Sequence, residues 1–222
     1  MRYTRRQFVQ STTAFLGAWS CRSVLGASSA ESPIASIEKM TFKRGRDGSG
    51  PSWFHPRGCL VADETAPKLL MTLQTITGSD YFGPVHWMES NDLGGTWSEP
   101  RPVPALGRVP AGEHGEEGVC DVVPEYHPPT GTVLALGHNV FYKGPRFSSK
   151  QPPRCPVYAV YRDGRWSARK KLVWDDPRRA FIYTNNCGQR VTLPNGDVQF
   201  VMSCGATSAG RSAVGVRCAF DG

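Results

Sequence analysis

What the chain lacks sets its class. After residue 30 the longest stretch free of both glycine and proline is Arg165 to Asp176, only 12 residues, so long helices are excluded. No apolar run approaches the ~20 residues that a membrane-spanning helix needs. None of the seven cysteines forms a C-x-x-C pair or stands at zinc-finger spacing from a histidine. The polar loop Glu113-His114-Gly115-Glu116-Glu117 lacks H-E-x-x-H spacing, so spacing alone points to no metal and no cofactor. Glycine and proline together make 42 of 222 residues, short of the ~25–30% that marks low-complexity disorder. The chain is therefore expected to fold, with many turns.

The excess of basic residues is also thinner than it looks. The formal charge is +7, from 26 Lys+Arg against 19 Asp+Glu. Residues 1–30 open with Thr4-Arg5-Arg6-Gln7-Phe8-Val9-Gln10, continue through a short apolar stretch around Phe15, Leu16 and Trp19, and end on Ala27-Ser28-Ser29-Ala30. That order reads as a twin-arginine export signal, which makes the export machinery a partner and the mature protein periplasmic or secreted. Ala18-Trp19-Ser20-Cys21 has the form of a lipoprotein cleavage site, but no Leu or Val precedes it. Removal of residues 1–30 takes four arginines and no acid, leaving +3. No nucleic-acid partner is expected. The densest remaining basic cluster, Arg169-Lys170-Lys171, reads as a solvated strand face.

Short apolar runs bounded by turn residues recur after residue 30: Lys68 to Ile76, Thr132 to Tyr142, Val157 to Tyr161, Asp197 to Cys204 and Ala213 to Phe220. The expected class is all-β. Turns at Pro67, Gly131 and Gly196 precede similar strands at spacings of 64 and 65 residues, and a second set interleaves at Asp92-Leu93-Gly94-Gly95, Asp163-Gly164 and Asp221-Gly222. Two hairpin turns per unit mean four strands, the blade of a β-propeller; in a β-sandwich the regularity would be accidental. The expected units run roughly over 50–110, 111–176 and 177–222. Closed propellers need about 4–8 blades, so 222 residues are expected to hold part of one. Cys204 and Cys218 would face each other if the segment between them is a hairpin, which makes them the candidate disulfide; buried thiols are the other reading.

Ser90-Asn91-Asp92-Leu93-Gly94-Gly95-Thr96-Trp97 fits S-x-D-x-G-x-T-W at every fixed position. Asp92 can accept bonds from backbone N–H groups in the turn, Gly94 permits positive φ, Ser90 and Thr96 tie the strand ends, and Trp97 packs between layers. This resembles the Asp-box, or BNR repeat, of sialidases. The resemblance extends over the chain after the signal, through Phe54-His55-Pro56-Arg57-Gly58-Cys59, Ser79-Asp80-Tyr81-Phe82-Gly83, Gly118-Val119-Cys120-Asp121 and Gly188-Gln189-Arg190-Val191.

The sialidase superfamily implies a six-bladed propeller, of which about three blades are present, and release of terminal acidic sugars from glycans. It also implies an arginine cluster for the sugar carboxylate, an aspartate acid/base, and a tyrosine nucleophile activated by a glutamate. Carried onto this chain, the resemblance makes Arg57 a carboxylate-binding arginine, Asp80 the acid/base and Asp121 a substrate-binding aspartate. Ser90, Asp92, Gly94, Thr96 and Trp97 are then structural.

The repeat supports this separately: the tenth residue before Pro67, Gly131 and Gly196 is Arg57, Asp121 and Asn186, with Gln189 or Arg190 able to replace Asn186. An arginine that sialidases carry shortly before the aspartate is missing, with Gln74 near its place, and nothing marks Tyr183 as the nucleophile. His86, His127 and His138 read as strand or turn histidines. Two functions fit: an exported sialidase-like glycoside hydrolase lacking its C-terminal catalytic half, or a non-catalytic BNR propeller that binds glycan or assists assembly.

Overall fold

The computed structural model describes residues 36–41, 43, 52–62, 66–77, 80–172, 176, 178, 181–183, 188–207 and 209–222. The export signal expected at 1–30 lies outside the described residues, as do Asn186, Cys187 and the side chain of Tyr183. The chain divides into two units, Met1–Met40 and Thr41–Gly222. All the sheets belong to the second. Among the described residues no helix is long and apolar enough to cross a membrane.

Among the described residues every regular element is a strand or a single 3-10 turn, in keeping with the spacing of glycine and proline. Sheet 1 is a four-stranded meander of β1 (Ser52–Val61), β2 (Lys68–Ile76), β3 (Phe82–Ser90) and β4 (Arg101–Pro102). Sheet 2 holds β5 (Val109–Pro110), β6 (Glu116–His127), β7 (Thr132–Lys143), β8 (Arg146–Phe147), β9 (Pro156–Arg162), β10 (Arg165–Trp166) and β11 (Lys170–Lys171), with its main path running β5-β6-β7-β9-β10. Sheet 3 pairs β12 (Phe181–Tyr183) and β13 (Arg190–Thr192) with one edge of β14 (Val198–Gly205), and β15 (Arg211–Cys218) with the other. The turns at Gly131 and Gly196 join successive long strands in sheets 2 and 3, and those at Asp92 and Asp163 follow the third.

The apolar run in β7 is continuous because the strand is covered on both faces. Val133 and Ala135 pack toward Leu70, Val85 and Trp87 of sheet 1, whereas Leu134 and Leu136 pack toward Val198, Phe200 and Met202 of sheet 3. Each such side chain contributes about 1.5–3 kcal/mol on burial, so β7 welds the three sheets together.

Polar ties add register. Glu89 accepts from Tyr161 Oη at 2.7 Å and from Arg101 at 2.8 Å. Buried Glu117 pairs with Lys171 at 2.6 Å and Arg169 at 3.5 Å, and Arg169 Nε donates to the Ala105 carbonyl at 2.8 Å. The cluster at 169–171 is thus not simply a solvated face: two of its three cations are spent on an internal carboxylate. His127 Nε2, 2.8 Å from the Gly196 carbonyl, links the equivalent turns of sheets 2 and 3.

The disulfide expectation is corrected by the β14/β15 register. Cys204 pairs opposite Ser212 and Cys218 opposite Val198, at opposite ends of the ladder, so no bridge joins them.

The Ser90–Trp97 turn is saturated with hydrogen bonds. Asp92 Oδ1 accepts from Thr96 N at 2.8 Å and from Ser90 Oγ at 2.8 Å, and Oδ2 accepts from Thr96 Oγ1 at 2.7 Å. Ser90 Oγ in turn accepts from Gly94 N at 2.7 Å. Leu93 and Gly94 stand at φ 55° and 100°, so the reversal needs a glycine at 94. These donors, the Thr96 backbone N–H first, hold the Asp92 carboxyl down at about 2. Trp97 is half-buried beside the turn.

Candidate functional site

The lead strands of sheets 1 and 2 break register at corresponding places. The β1/β2 ladder skips between Phe54 and Arg57, and the β6/β7 ladder between Cys120 and Val123. Each skip is a bulge, and each puts a non-glycine residue in the left-handed region: His55 at φ 51° and Asp121 at φ 53°. Gly137 sits opposite the second bulge, where a β-carbon would stand 2.5 Å from the Cys120 carbonyl oxygen. Glycine is therefore the residue that lets β7 pass the bulged backbone. Across the sheets, Thr72 Oγ1 donates to the Val122 carbonyl at 2.9 Å and Gln74 Nε2 to the Val119 carbonyl at 2.8 Å, pinning β2 against β6.

The bulges aim their side chains into one cleft of about 300 Å³. Phe54, Phe82 and Phe147 wall it, and His55, Asp80, Cys120, Asp121, His138 and Arg154 supply its chemistry. Asp80 stands at the rim, exposed, with φ 56°. Asp121 Oδ1 lies 3.3 Å from His55 Nδ1, and its Oδ2 lies 4.0 Å from His138 Nδ1. Cys120 Sγ is 3.2 Å from His138 Nε2.

Burial dominates the electrostatics. It pushes the Asp121 carboxyl up, against the lowering pull of His55, Arg57 and Arg154. It pushes the His55 imidazole down, against the raising pull of Asp121. His138 is driven down to about 3 by burial and then by the Arg154 charge, so it is a neutral imidazole at neutral pH. The cleft thus combines an exposed carboxylate, a half-buried one, two imidazoles, a thiol and a guanidinium.

Asp80 and Asp121, both named from sequence, meet here. Arg57 does not line the cleft: its side chain is exposed and Nη1 donates to the Pro56 carbonyl at 3.3 Å, although its charge reaches His55 and Asp121. Arg190 lies elsewhere. Its Nη1 donates to the carbonyls of Val123 at 3.0 Å and Gly188 at 2.9 Å, its Nη2 donates to the Leu134 carbonyl, and Nε lies 3.7 Å from Glu125. With its side chain 1% exposed, it clamps sheet 3 to sheet 2. Gln74 is buried between sheets 1 and 2 and has no place in the cleft. Tyr183 carries its backbone in β12, paired opposite Ser203.

His55, Cys120 and Arg154 had no individual place in the sequence reading, and His138 read there as a strand residue. The signal for His55 was present: the connection 62–67 after β1 is two residues longer than 128–131 after β6, and allowing for that moves the site from Arg57 to His55. Arg154 follows β8 in a connection with no counterpart in the repeat, so spacing could not find it.

No protein-family model matches the chain, and no curated protein matches it. Among solved structures it is similar to the Hadza microbial sialidase Hz136, with a TM-score of 0.58 and 16% identity over 75% of this chain and 35% of that one. It is also similar to a protein of unknown function from Dyadobacter fermentans DSM 18053, with a TM-score of 0.50 and 14% identity over 74% of this chain and 50% of that one. The chain therefore spans about a third of the sialidase it resembles. At such identities the likeness is one of fold: this is an all-β chain with a distant sialidase-like architecture.

Proposed function

We propose that the chain is part of an exported sialidase-like glycoside hydrolase, a six-bladed propeller in which the three sheets are blades over roughly 50–110, 111–176 and 177–222, and that the cleft receives a terminal acidic sugar. The observation that carries this reading is the pair of corresponding bulges, which turn His55 and Asp121 inward beside Asp80 and Arg154. Polar groups converging from the lead strands of neighbouring sheets are what a ligand site between blades requires.

In this reading Arg154, with Arg57 near the rim, offsets the sugar carboxylate. Asp80, the exposed carboxyl, is placed to protonate the leaving glycosidic oxygen. Asp121 and His55 orient the sugar hydroxyls. A tyrosine nucleophile and its glutamate, which sialidase chemistry needs, are not among the described residues that line the cleft. Export through residues 1–30 is part of the same proposal, as is the structural role of the S-x-D-x-G-x-T-W turn.

Turnover of a fluorogenic sialoside by the full-length gene product, lost in Asp80→Ala, would support the hydrolase; this chain alone is expected to be inactive. Binding of a sialylated oligosaccharide without turnover, unchanged in Asp80→Ala, would support the second reading, a glycan-binding propeller. Neither turnover nor binding would overturn both.

A further inference from the structure

Three strands bring four metal-donor side chains to the floor of the cleft. Cys120 and Asp121 are adjacent on β6, His138 faces Cys120 across the β6/β7 ladder, and His55 arrives from the bulge of β1. One donor atom from each of Cys120, Asp121 and His138 lies within 4.8 Å of the others. The closest approaches are 3.2 Å for sulfur to the His138 ring and 3.3 Å for the Asp121 carboxylate to His55. Metal–nitrogen and metal–oxygen bonds near 2.1 Å and metal–sulfur bonds near 2.3 Å place tetrahedral neighbours roughly 3.4–3.5 Å apart. The spacings from sulfur to His138 Nε2 and from Asp121 to His55 are close to that, and the one from Asp121 to His138 Nδ1, at 4.0 Å, is longer.

A second observation points the same way. His138 is only 1% exposed, and its Nδ1 is buried with no hydrogen-bond partner; His55 Nδ1 is in the same condition. Both nitrogens face Asp121, whose carboxylate takes no hydrogen bond from the described residues. Unsatisfied buried groups are uncommon in folded proteins, and a bound ion is one of their recognised explanations.

We propose that Cys120, Asp121, His138 and His55 form a mononuclear site for a divalent transition metal of the zinc type. One thiolate, two imidazoles and one carboxylate are a borderline-soft set, which selects zinc, cobalt or copper over calcium or magnesium. Three ligands come from sheet 2 and the fourth from sheet 1, so the metal also staples the two sheets where their bulges meet. Sequence spacing conceals this set, because only the β6/β7 register and the inter-sheet packing bring its members together. The metal competes with the sugar contacts proposed above for Asp121 and His55, and cobalt alone, without sugar, reads the site separately from that proposal.

The test is cobalt titration of the full chain after chelator treatment. A single equivalent should give a thiolate-to-cobalt charge-transfer band with the visible bands of a tetrahedral ion, and zinc should bleach both. Cys120→Ser should abolish the charge-transfer band. His55→Ala, at the less buried edge, should weaken cobalt binding by at least ~10–100-fold, the range already seen when only outer-sphere partners of metal ligands are lost. Cys204→Ser, in sheet 3, should change neither. The wild-type spectrum decides even if Cys120→Ser fails to fold: no charge-transfer band overturns the site. A band that survives Cys120→Ser, or one that disappears in Cys204→Ser, overturns it as well. Unchanged affinity in His55→Ala overturns the bridge between the sheets.

Discussion

In the Ser90–Trp97 turn Leu93 stands at φ 55°, and at the cleft His55, Asp80 and Asp121 stand at 51°, 56° and 53°. The backbone strain is alike, but the surroundings differ. Around the turn Thr96 N, Thr96 Oγ1 and Ser90 Oγ all donate to the Asp92 carboxylate, and the group ionises far more readily than an ordinary aspartic acid. Around the cleft two buried imidazole nitrogens and a half-buried carboxylate face one another without hydrogen bonds. The turn has used its polar capacity on itself. The cleft has capacity left for something else, and that difference separates a structural aspartate from a functional one.

The arginines divide by their place in the fold. Arg190 spends its donors on three backbone carbonyls, whereas Arg154 lines the cleft, 5.3 Å from the Phe147 ring centroid. If the division holds, Arg190→Met should produce the largest loss of stability. It leaves three buried carbonyls without their donor and should cost about 3–5 kcal/mol in chemical denaturation, as breaking a buried ionic contact does. Gly137→Ala comes next. Its methyl must displace the Cys120 carbonyl, which should cost about 1–3 kcal/mol and shift the bulge that aims Asp121.

A smaller effect is expected at Asp92, and its sign with pH is fixed. A carboxyl held at about 2 in the folded chain stabilises it above the ordinary aspartate pKa near 4, and that stabilisation is lost as pH falls toward 2. Asp92→Asn should therefore lower the melting midpoint at neutral pH, and the gap to wild type should close between about pH 4 and 2 in thermal melts. The smallest effect belongs to Asp121. In chelator-treated protein at neutral pH, Asp121→Asn should leave the midpoint unchanged or raise it, because a half-buried carboxylate that receives no hydrogen bond from the described residues is not repaid for its lost hydration. A fall as large as that of Arg190→Met would mean that the cleft is as saturated as the turn.

Much of the fold was legible in the sequence because turn chemistry is local. Glycine and proline spacing gave the all-β class, and Asp92, Gly94 and Thr96 gave the hairpin turn without help from distant residues. Two acids of the cleft, Asp80 and Asp121, were legible from spacing and resemblance. His55 was not, because the connection 62–67 after β1 is two residues longer than its counterpart 128–131, and the repeat count therefore lands on Arg57 instead. The Cys120–His138 contact and the separation of Cys204 from Cys218 both depend on ladder register, which no local pattern specifies. The clamp formed by Arg190 was hidden for another reason: two of its three carbonyl partners, Val123 and Leu134, belong to β6 and β7, and a sequence read residue by residue carries no sign of which backbone a guanidinium will meet.

Five histidines make the division between cleft and scaffold directly observable. In a chain labelled with nitrogen-15 at histidine and titrated with a sialylated oligosaccharide, the ring signals of His55 and His138 should move together, while those of His86, His114 and His127 stay in place. Movement confined to those three, or no movement at saturating ligand, would contradict the assignment of the cleft as the functional site.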